Sequence, residues 1–373
     1  MKFTINREYF LKALLSNSRI ITTKEESPIL ANLKFEINNE RLEIVSSNGE
    51  INIKTTIERF QNDKEIIRDI EVGSILINAK MITEIVKRLE SREISFSIED
   101  GVLARIVNDR AQFNINVLKA EEYSDIDFEE EGIYISLKRN DLINAVNQVG
   151  FAANTKENRK VLSSVHIEGE NDILSFTATD GARLANKEIS YPNVQDFKVN
   201  IPARNIVEAL RNVTDEERIE MFITTNRVLF KFKDSIVTVS TALGDYPNTK
   251  NIIPKNYYYT LEVNGNEFLK VCERIALVSI DRVNIVKCTM NANEVVVSSR
   301  SQAMGNSSES LQLFKFEGER LEISFNVEFV AQAIRALKTE DIEIRFLGEM
   351  KPFMIISKAD KSTIQLITPV RTY

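Results

Sequence analysis

The sequence predicts an α+β protein made of three repeated domains, each with two helices packed on antiparallel sheets. Two observations carry this. The phrase Ile77 to Val86 returns with its apolar residues in register as Ile201 to Leu210 and again as Phe325 to Ile334, an offset of 124 residues each time. A second phrase, an alternating triplet and then an apolar pair at helical spacing, opens each repeat: Phe3-Thr4-Ile5 before Phe10-Leu11, Ile135-Ser136-Leu137 before Leu142-Ile143, and Leu261-Glu262-Val263 before Phe268-Leu269. Solenoid units run about 20–50 residues, far shorter than this period. Roughly 100–150 residues suffice for a domain with its own core. The expected domains are residues 1–131, 132–254 and 255–373, divided at Glu129-Glu130-Glu131-Gly132 and at Pro254-Lys255-Asn256, where the periodic pattern lapses.

In the first repeat Phe3 and Ile5 alternate with polar residues as in a strand, and Tyr9, Phe10, Ala13 and Leu14 recur at helical spacing. Leu33, Phe35 and Ile37 alternate, Asn38-Asn39 turns the chain, and Leu42 and Ile44 alternate back, which predicts a hairpin. Asn48-Gly49 turns again before Ile51, Ile53 and Thr55. A strand ending at Ile77 then feeds a helix through Leu89, and strands follow at Ile94 to Ile98 and Phe113 to Val117. The second repeat matches this with Val165, Ile167, Leu174 and Phe176, the turn Asp180-Gly181, a helix from Arg204, and Ile219 to Ile223. In the third, Val286, Cys288 and Met290 are expected to pair with Val295 and Val297 across Asn291-Ala292-Asn293.

Of 373 residues, 43% are apolar and 28% charged, enough for ordinary cores under a solvated surface. No run of about 18 apolar residues marks a membrane span, and the N-terminus enters a strand pattern without a signal-peptide core. Two cysteines, Cys272 and Cys288, are too few for a disulfide framework or a multi-cysteine zinc site. A cytoplasmic protein without a membrane partner or a cofactor is expected. Net charge is −7, which argues against a tight non-specific DNA binder unless cations gather on one face.

Cations do gather on the helices. The second helix of each repeat carries Lys80, Lys87 and Arg88, then Arg204 and Arg211, then Arg335 and Lys338. First helices and their flanks add Arg7, Lys12 and Arg19, then Lys138 and Arg139, then Lys270 and Arg274. They read either as solvated helix faces or as a lining that meets phosphates without reading sequence. Catalytic constellations are missing. The sole histidine, His166, sits in a strand alternation with no nucleophile elbow in the chain, and neither a phosphate loop nor a dinucleotide fingerprint occurs. The expectation is a protein that is not an enzyme.

The chain resembles the bacterial DNA polymerase III beta subunit family, the sliding clamps. The resemblance lies in Met1-Lys2-Phe3-Thr4-Ile5, Ser27-Pro28-Ile29-Leu30-Ala31-Asn32-Leu33, Ala178-Thr179-Asp180-Gly181-Ala182-Arg183-Leu184-Ala185, Phe325-Asn326-Val327 and Thr368-Pro369-Val370-Arg371-Thr372-Tyr373. It implies a head-to-tail homodimeric ring of six domains, with helices lining a hole that duplex DNA threads independently of sequence. The ring would tether the replicative polymerase and give it processivity. A ring-shaped scaffold that never meets DNA is the alternative.

By resemblance, the positions facing DNA are Lys24, Lys80, Arg159 and Arg204. A groove for the short clamp-binding peptides of the polymerase alpha subunit, the clamp-loader delta subunit and repair proteins is expected between the second and third domains. The second domain would supply Leu162, Thr179, Gly181, Arg183, Leu184, Pro247 and Ile252. The third would supply Asn326, Phe329, Phe353, Leu366, Thr368, Pro369, Val370 and Arg371. Apolar walls suit leucine and phenylalanine anchors, and Arg183 and Arg371 suit peptide carbonyls or carboxylates. The subunit contact is expected at Phe113 and Ile115 on one edge and Leu277 and Val278 on the other. The chain departs from relatives at Ala182, where many have histidine, at Asn251, where some have arginine, and at Lys160 and Val161, where some have an aromatic.

Overall fold

The structure, a computed structural model, describes residues 1–21, 28–155, 160–213, 215–279 and 284–372. The chain forms two compact units: Met1–Arg139 with Glu208–Thr241, and Asn140–Val207 with Ala242–Tyr373. The central repeat is thus divided between them.

The first unit holds helices α1 (Arg7–Ser18) and α2 (Ala79–Arg88) against a 13-stranded antiparallel sheet. Both helices begin where an asparagine side chain takes an orphan backbone N–H: Asn6 Oδ1 accepts from Glu8 N at 3.0 Å and Asn78 Oδ1 from Met81 N at 3.0 Å. The expected end of α2 at Leu89 is its C-cap. The core centres on Phe3, Phe10, Phe35 and Phe96, all without exposure, with the Phe3 and Phe96 rings stacked at 4.9 Å. The hairpin of Asn32–Ile37 with Arg41–Ser47 forms as the alternation predicts. Strand Ile51–Glu58 then pairs with Ser235–Ser240, from Thr55 opposite Ser235 to Ile51 opposite Val239. Strand Gln112–Leu118 meets Gly73–Asn78 only through Val117 and Leu118, so residues 112–116 present an open edge among the described residues.

The second unit holds α3 (Arg139–Val149), most of α4 (Ala203–Leu210), α5 (Gly265–Ala276) and α6 (Val327–Leu337). Its nine-stranded sheet runs from Phe197–Pro202 through Ser164–Glu170, Ile173–Thr179, Arg183–Ser190, Thr363–Ile367, Phe353–Ser357 and Asp341–Phe346 to Tyr259–Asn264 and Phe314–Glu317. A four-stranded sheet of Gly305–Ser310, Val295–Ser301, Ile285–Met290 and Leu321–Asn326 lies in the same unit. Cys288 pairs with Val297 and Met290 with Val295, the register the alternation gives. Both cysteines are buried here, and burial pushes the Cys288 thiol up to about 12, so they pack as small apolar residues. Phe353 lies in this core at 1% exposure, its ring 5.6 Å from Phe325 and 5.5 Å from Phe346.

Candidate functional site

The site in the second unit is built on the turn between Ile173–Thr179 and Arg183–Ser190. Thr179 Oγ1 accepts from Gly181 N at 3.1 Å and donates to the Arg183 carbonyl at 2.5 Å. Asp180 Oδ1 accepts from Ala182 N and Arg183 N at 2.9 and 3.1 Å. Gly181 takes φ +94°, in the region that a side chain disfavours. The turn projects Arg183 and Leu184 from the start of the strand, onto opposite faces of the sheet.

Arg183 is 10% exposed at its side chain and already engaged. Its Nε donates to Asp180 Oδ2 at 3.0 Å, one terminal nitrogen donates to Gln332 Oε1 on α6, and the other donates to the Phe151 carbonyl at 2.8 Å. The guanidinium also lies 4.5 Å from the Phe329 ring centre and 5.3 Å from that of Phe151. Three of its five N–H groups are used, leaving two for a ligand. Asn326, by contrast, caps α6, accepting from Glu328 N at 2.8 Å and Phe329 N at 3.4 Å. That cap orients the first turn that carries Phe329.

Leu184 and Leu366, each 4% exposed, pack with Met354 into a small apolar cluster, and Ile253 and Ile364 lean on it. Beyond Leu366 the chain is pinned by backbone bonds: Thr368 N donates to the Ala182 carbonyl at 2.9 Å and Val370 N to the Ser324 carbonyl at 2.7 Å. Pro369 is buried between them, while Thr368 and Arg371 are exposed. Leu162 is half-buried, Pro247 is exposed and Ile252 is 49% exposed. The structure therefore sets Arg183 with Phe329 on one face of the sheet and Leu184 with Leu366 on the other, and sends Phe353 inward. Phe151, Asp180 and Gln332 around Arg183, and Met354 and Ile253 around Leu184, were missed by sequence reasoning. Gln332 had a signal, since it lies one helical turn beyond Phe329 on the same face.

The helix cations divide sharply. Lys12 is tied to Asp234 at 3.1 Å, Arg88 to Glu84 at 3.0 Å, Arg211 to Glu208 at 2.7 Å, Arg335 to Glu273 at 2.7 Å, and Arg274 to Glu309. Lys338 donates to Asn144 at 3.1 Å. Lys80, Lys138, Arg204 and Lys270 are exposed and carry no ion pair among the described residues. Lys24 and Arg159 lie outside the described residues. Phe113 is 37% exposed on the open edge of its strand, whereas Ile115 is 8% exposed and packs inward. In the second unit Leu277 is 79% exposed just beyond α5, with Val278 half-buried beside it.

Known proteins share this architecture along its whole length. Family models of the DNA polymerase III beta subunit match the chain at residues 1–127 (N-terminal domain), 136–248 (central domain) and 250–371 (C-terminal domain). The chain is 32% identical over 378 residues to the beta sliding clamp of Bacillus subtilis and 31% identical over 376 residues to that of Staphylococcus aureus, covering 100% of both chains in each case. The crystal structure of the B. subtilis DNA polymerase sliding clamp superposes with a TM-score of 0.95 at 31% identity, again over 100% of both chains. Three consecutive domain matches and full-length relatives above 30% identity lead to one conclusion: the chain belongs to the DNA polymerase III beta subunit family, the sliding clamps.

Proposed function

We propose that two copies of this chain close head to tail into a ring that encircles duplex DNA and tethers the replicative polymerase to it. The chain is then a non-catalytic processivity subunit acting in the cytoplasm, with domains at 1–131, 132–254 and 255–373. The observation that carries the reading is a count of sheet edges. Within the first unit an edge strand of one repeat, Ser235–Ser240, joins Ile51–Glu58 of another through five antiparallel residue pairs. Within the second unit Thr363–Ile367 joins Arg183–Ser190 in the same way, again through five pairs. One strand of each kind is left over, Gln112–Leu118 and Gly305–Ser310, each with an open edge among the described residues. A second copy supplies the complement of both, and contacts repeated in this way close into a ring.

DNA is retained by topology, so contacts to it must be weak and blind to sequence. Exposed cations without a carboxylate partner among the described residues, such as Lys80 and Arg204, suit that need better than a dense basic patch, and Lys24 and Arg159 are assigned with them. The groove around Arg183, Leu184 and Leu366 takes short peptides with leucine and phenylalanine anchors from the polymerase alpha subunit, the loader delta subunit and other clamp-binding proteins. Loaded on closed circular DNA, the protein is expected to stay bound through gel filtration and to run off once the circle is cut. Equal retention on both forms would overturn the ring.

A further inference from the structure

We propose that His166 is a positioning residue for the peptide groove: its ring and its Nδ1–H hold the loop of residues 242–253, and because the ring is half-buried under that loop, a second proton, on Nε2, favours the undocked loop and weakens the groove. The inference rests on the groove reading above, because that loop carries Pro247 and Ile252.

His166 stands on strand Ser164–Glu170 with its ring stacked flat on Tyr246 of the loop, centroids 4.7 Å apart and planes 9° apart. Its Nδ1 lies 2.8 Å from Asn200 Oδ1. The Asn200 amide nitrogen donates to two loop carbonyls, Ala242 at 3.2 Å and Gly244 at 2.9 Å. With both N–H groups spent on the loop, Asn200 can only accept from the imidazole, so the proton of neutral His166 sits on Nδ1. One buried amide thus fixes where the loop begins, and His166 fixes that amide. At the loop's other end Ile253 rests on the cluster of Leu184, Met354 and Leu366. The loop is held by the histidine on one side and meets the apolar floor of the groove on the other.

A second proton is poorly received in this setting. The cleft of about 670 Å³ around the ring is lined by Glu168, Glu170, Glu188, Lys198, Asp245 and Lys250. Glu168 and Glu170 share the ring's own strand; Glu168 is bonded to Lys198 and Lys250, at 3.0 Å each, and Glu170 to Lys250 at 2.7 Å. The charges around the ring are thus mixed, four carboxylates against two ammonium groups, and what opposes an imidazolium is its burial beneath Tyr246. Burial pushes the imidazole below its ordinary value, outweighing the Asn200 bond and Glu168, which favour the charged form, while Lys198 and Lys250 act in the same direction as burial. The sign follows by linkage: loop docking is fully favoured above the ordinary imidazole value of about 6.5 and is lost as pH falls through it toward the lowered value.

As the only histidine in the chain, His166 gives one unambiguous imidazole signal in a pH titration by NMR. A fluorescein-labelled Gln-Leu-Ser-Leu-Phe peptide provides the parallel affinity measurement. Wild-type affinity is expected to fall by up to about fivefold between about pH 7.5 and 5.5, and saturating peptide should lower the His166 titration midpoint by about one unit, the reciprocal of that coupling. His166→Phe keeps the stacked ring and cannot titrate, so its affinity should stay flat across this range. His166→Ala should bind about tenfold more weakly at every pH, having lost both stack and bond. Equal pH dependence in wild type and His166→Phe, or a midpoint unmoved by peptide, overturns the inference alone. Failure of the wild type to bind peptide at pH 7.5 overturns the groove reading and this inference with it.

Discussion

The joint of Ile51–Glu58 with Ser235–Ser240 and the joint of Arg183–Ser190 with Thr363–Ile367 share a design down to the turn that precedes them. In the first, Ser47 Oγ accepts from Gly49 N at 3.0 Å and Asn48 Oδ1 accepts from Glu50 N and Ile51 N at 3.0 and 2.8 Å. In the second, Thr179 and Asp180 make the same bonds to Gly181, Ala182 and Arg183. The glycines take φ +88° and +94°. What differs is the residue the turn delivers: Ile51, 3% exposed, in one and Arg183 in the other. An isoleucine finishes a core. An arginine demands acceptors and a ring face, and Asp180, Gln332, Phe151 and Phe329 supply them. The joint is general physics repeated, and the setting of Arg183, on which the proposed groove rests, is a local chemical addition to one copy of it.

Replacing those two residues is the strongest way to break the comparison. Arg183→Leu strips Asp180 and Gln332 of their partner and should cost about 3 kcal/mol in urea unfolding, with peptide affinity falling at least about a hundredfold. Ile51→Arg puts a guanidinium at a buried position without that set of acceptors, and should cost about 3 kcal/mol while creating no peptide site. Peptide binding gained by Ile51→Arg would show that the joints differ less than their chemistry implies. A smaller and more symmetrical effect is expected at the turns. Neither glycine has any atom within 4 Å of an added Cβ, so Gly49→Ala and Gly181→Ala test backbone conformation alone. Each should destabilise by about 1 kcal/mol, and thermal unfolding giving unequal values would mean that one turn bears extra strain.

The smallest effect belongs to a tie on the second joint. Lys187 Nζ lies 2.8 Å from Asp360 Oδ2. Burial pushes the Asp360 carboxyl up, but Lys187 and Ser362 outweigh it and hold the group at about 2. A depressed carboxyl stabilises above its unfolded value of about 3.9 and loses that contribution as pH falls through its folded value. Because Asp360 is nearly half exposed, Asp360→Asn should cost no more than about 1 kcal/mol at neutral pH. The difference from wild type should vanish near pH 2, as followed by circular dichroism.

Much of this was legible before the structure. The 124-residue repeat gave the strands, hairpins and helices because alternation and helical spacing are local properties of the chain. Edge-to-edge joints were not legible, since Ser235 and Thr55 meet across residues that no short window spans. Nor was the neutralisation of helix cations, where Lys12 finds its carboxylate at Asp234. The resemblance put Phe353 and Ile115 at functional surfaces, yet each packs in a core, as an apolar residue in an alternating strand ordinarily does. Asp180 and Gln332 were overlooked because a polar residue gains its role from the partner it meets, which sequence spacing alone does not reveal.

The strand left over in the second unit reads Gly305-Asn306-Ser307-Ser308-Glu309-Ser310. Unpaired edges are templates for aggregation, most of all when they are long, flat and rich in β-branched residues. This one has none, and it carries a glutamate. A chain waiting for its second copy therefore shows solvent a poor nucleus for amyloid-like stacking, and an opened ring pays little in solubility for the exposure.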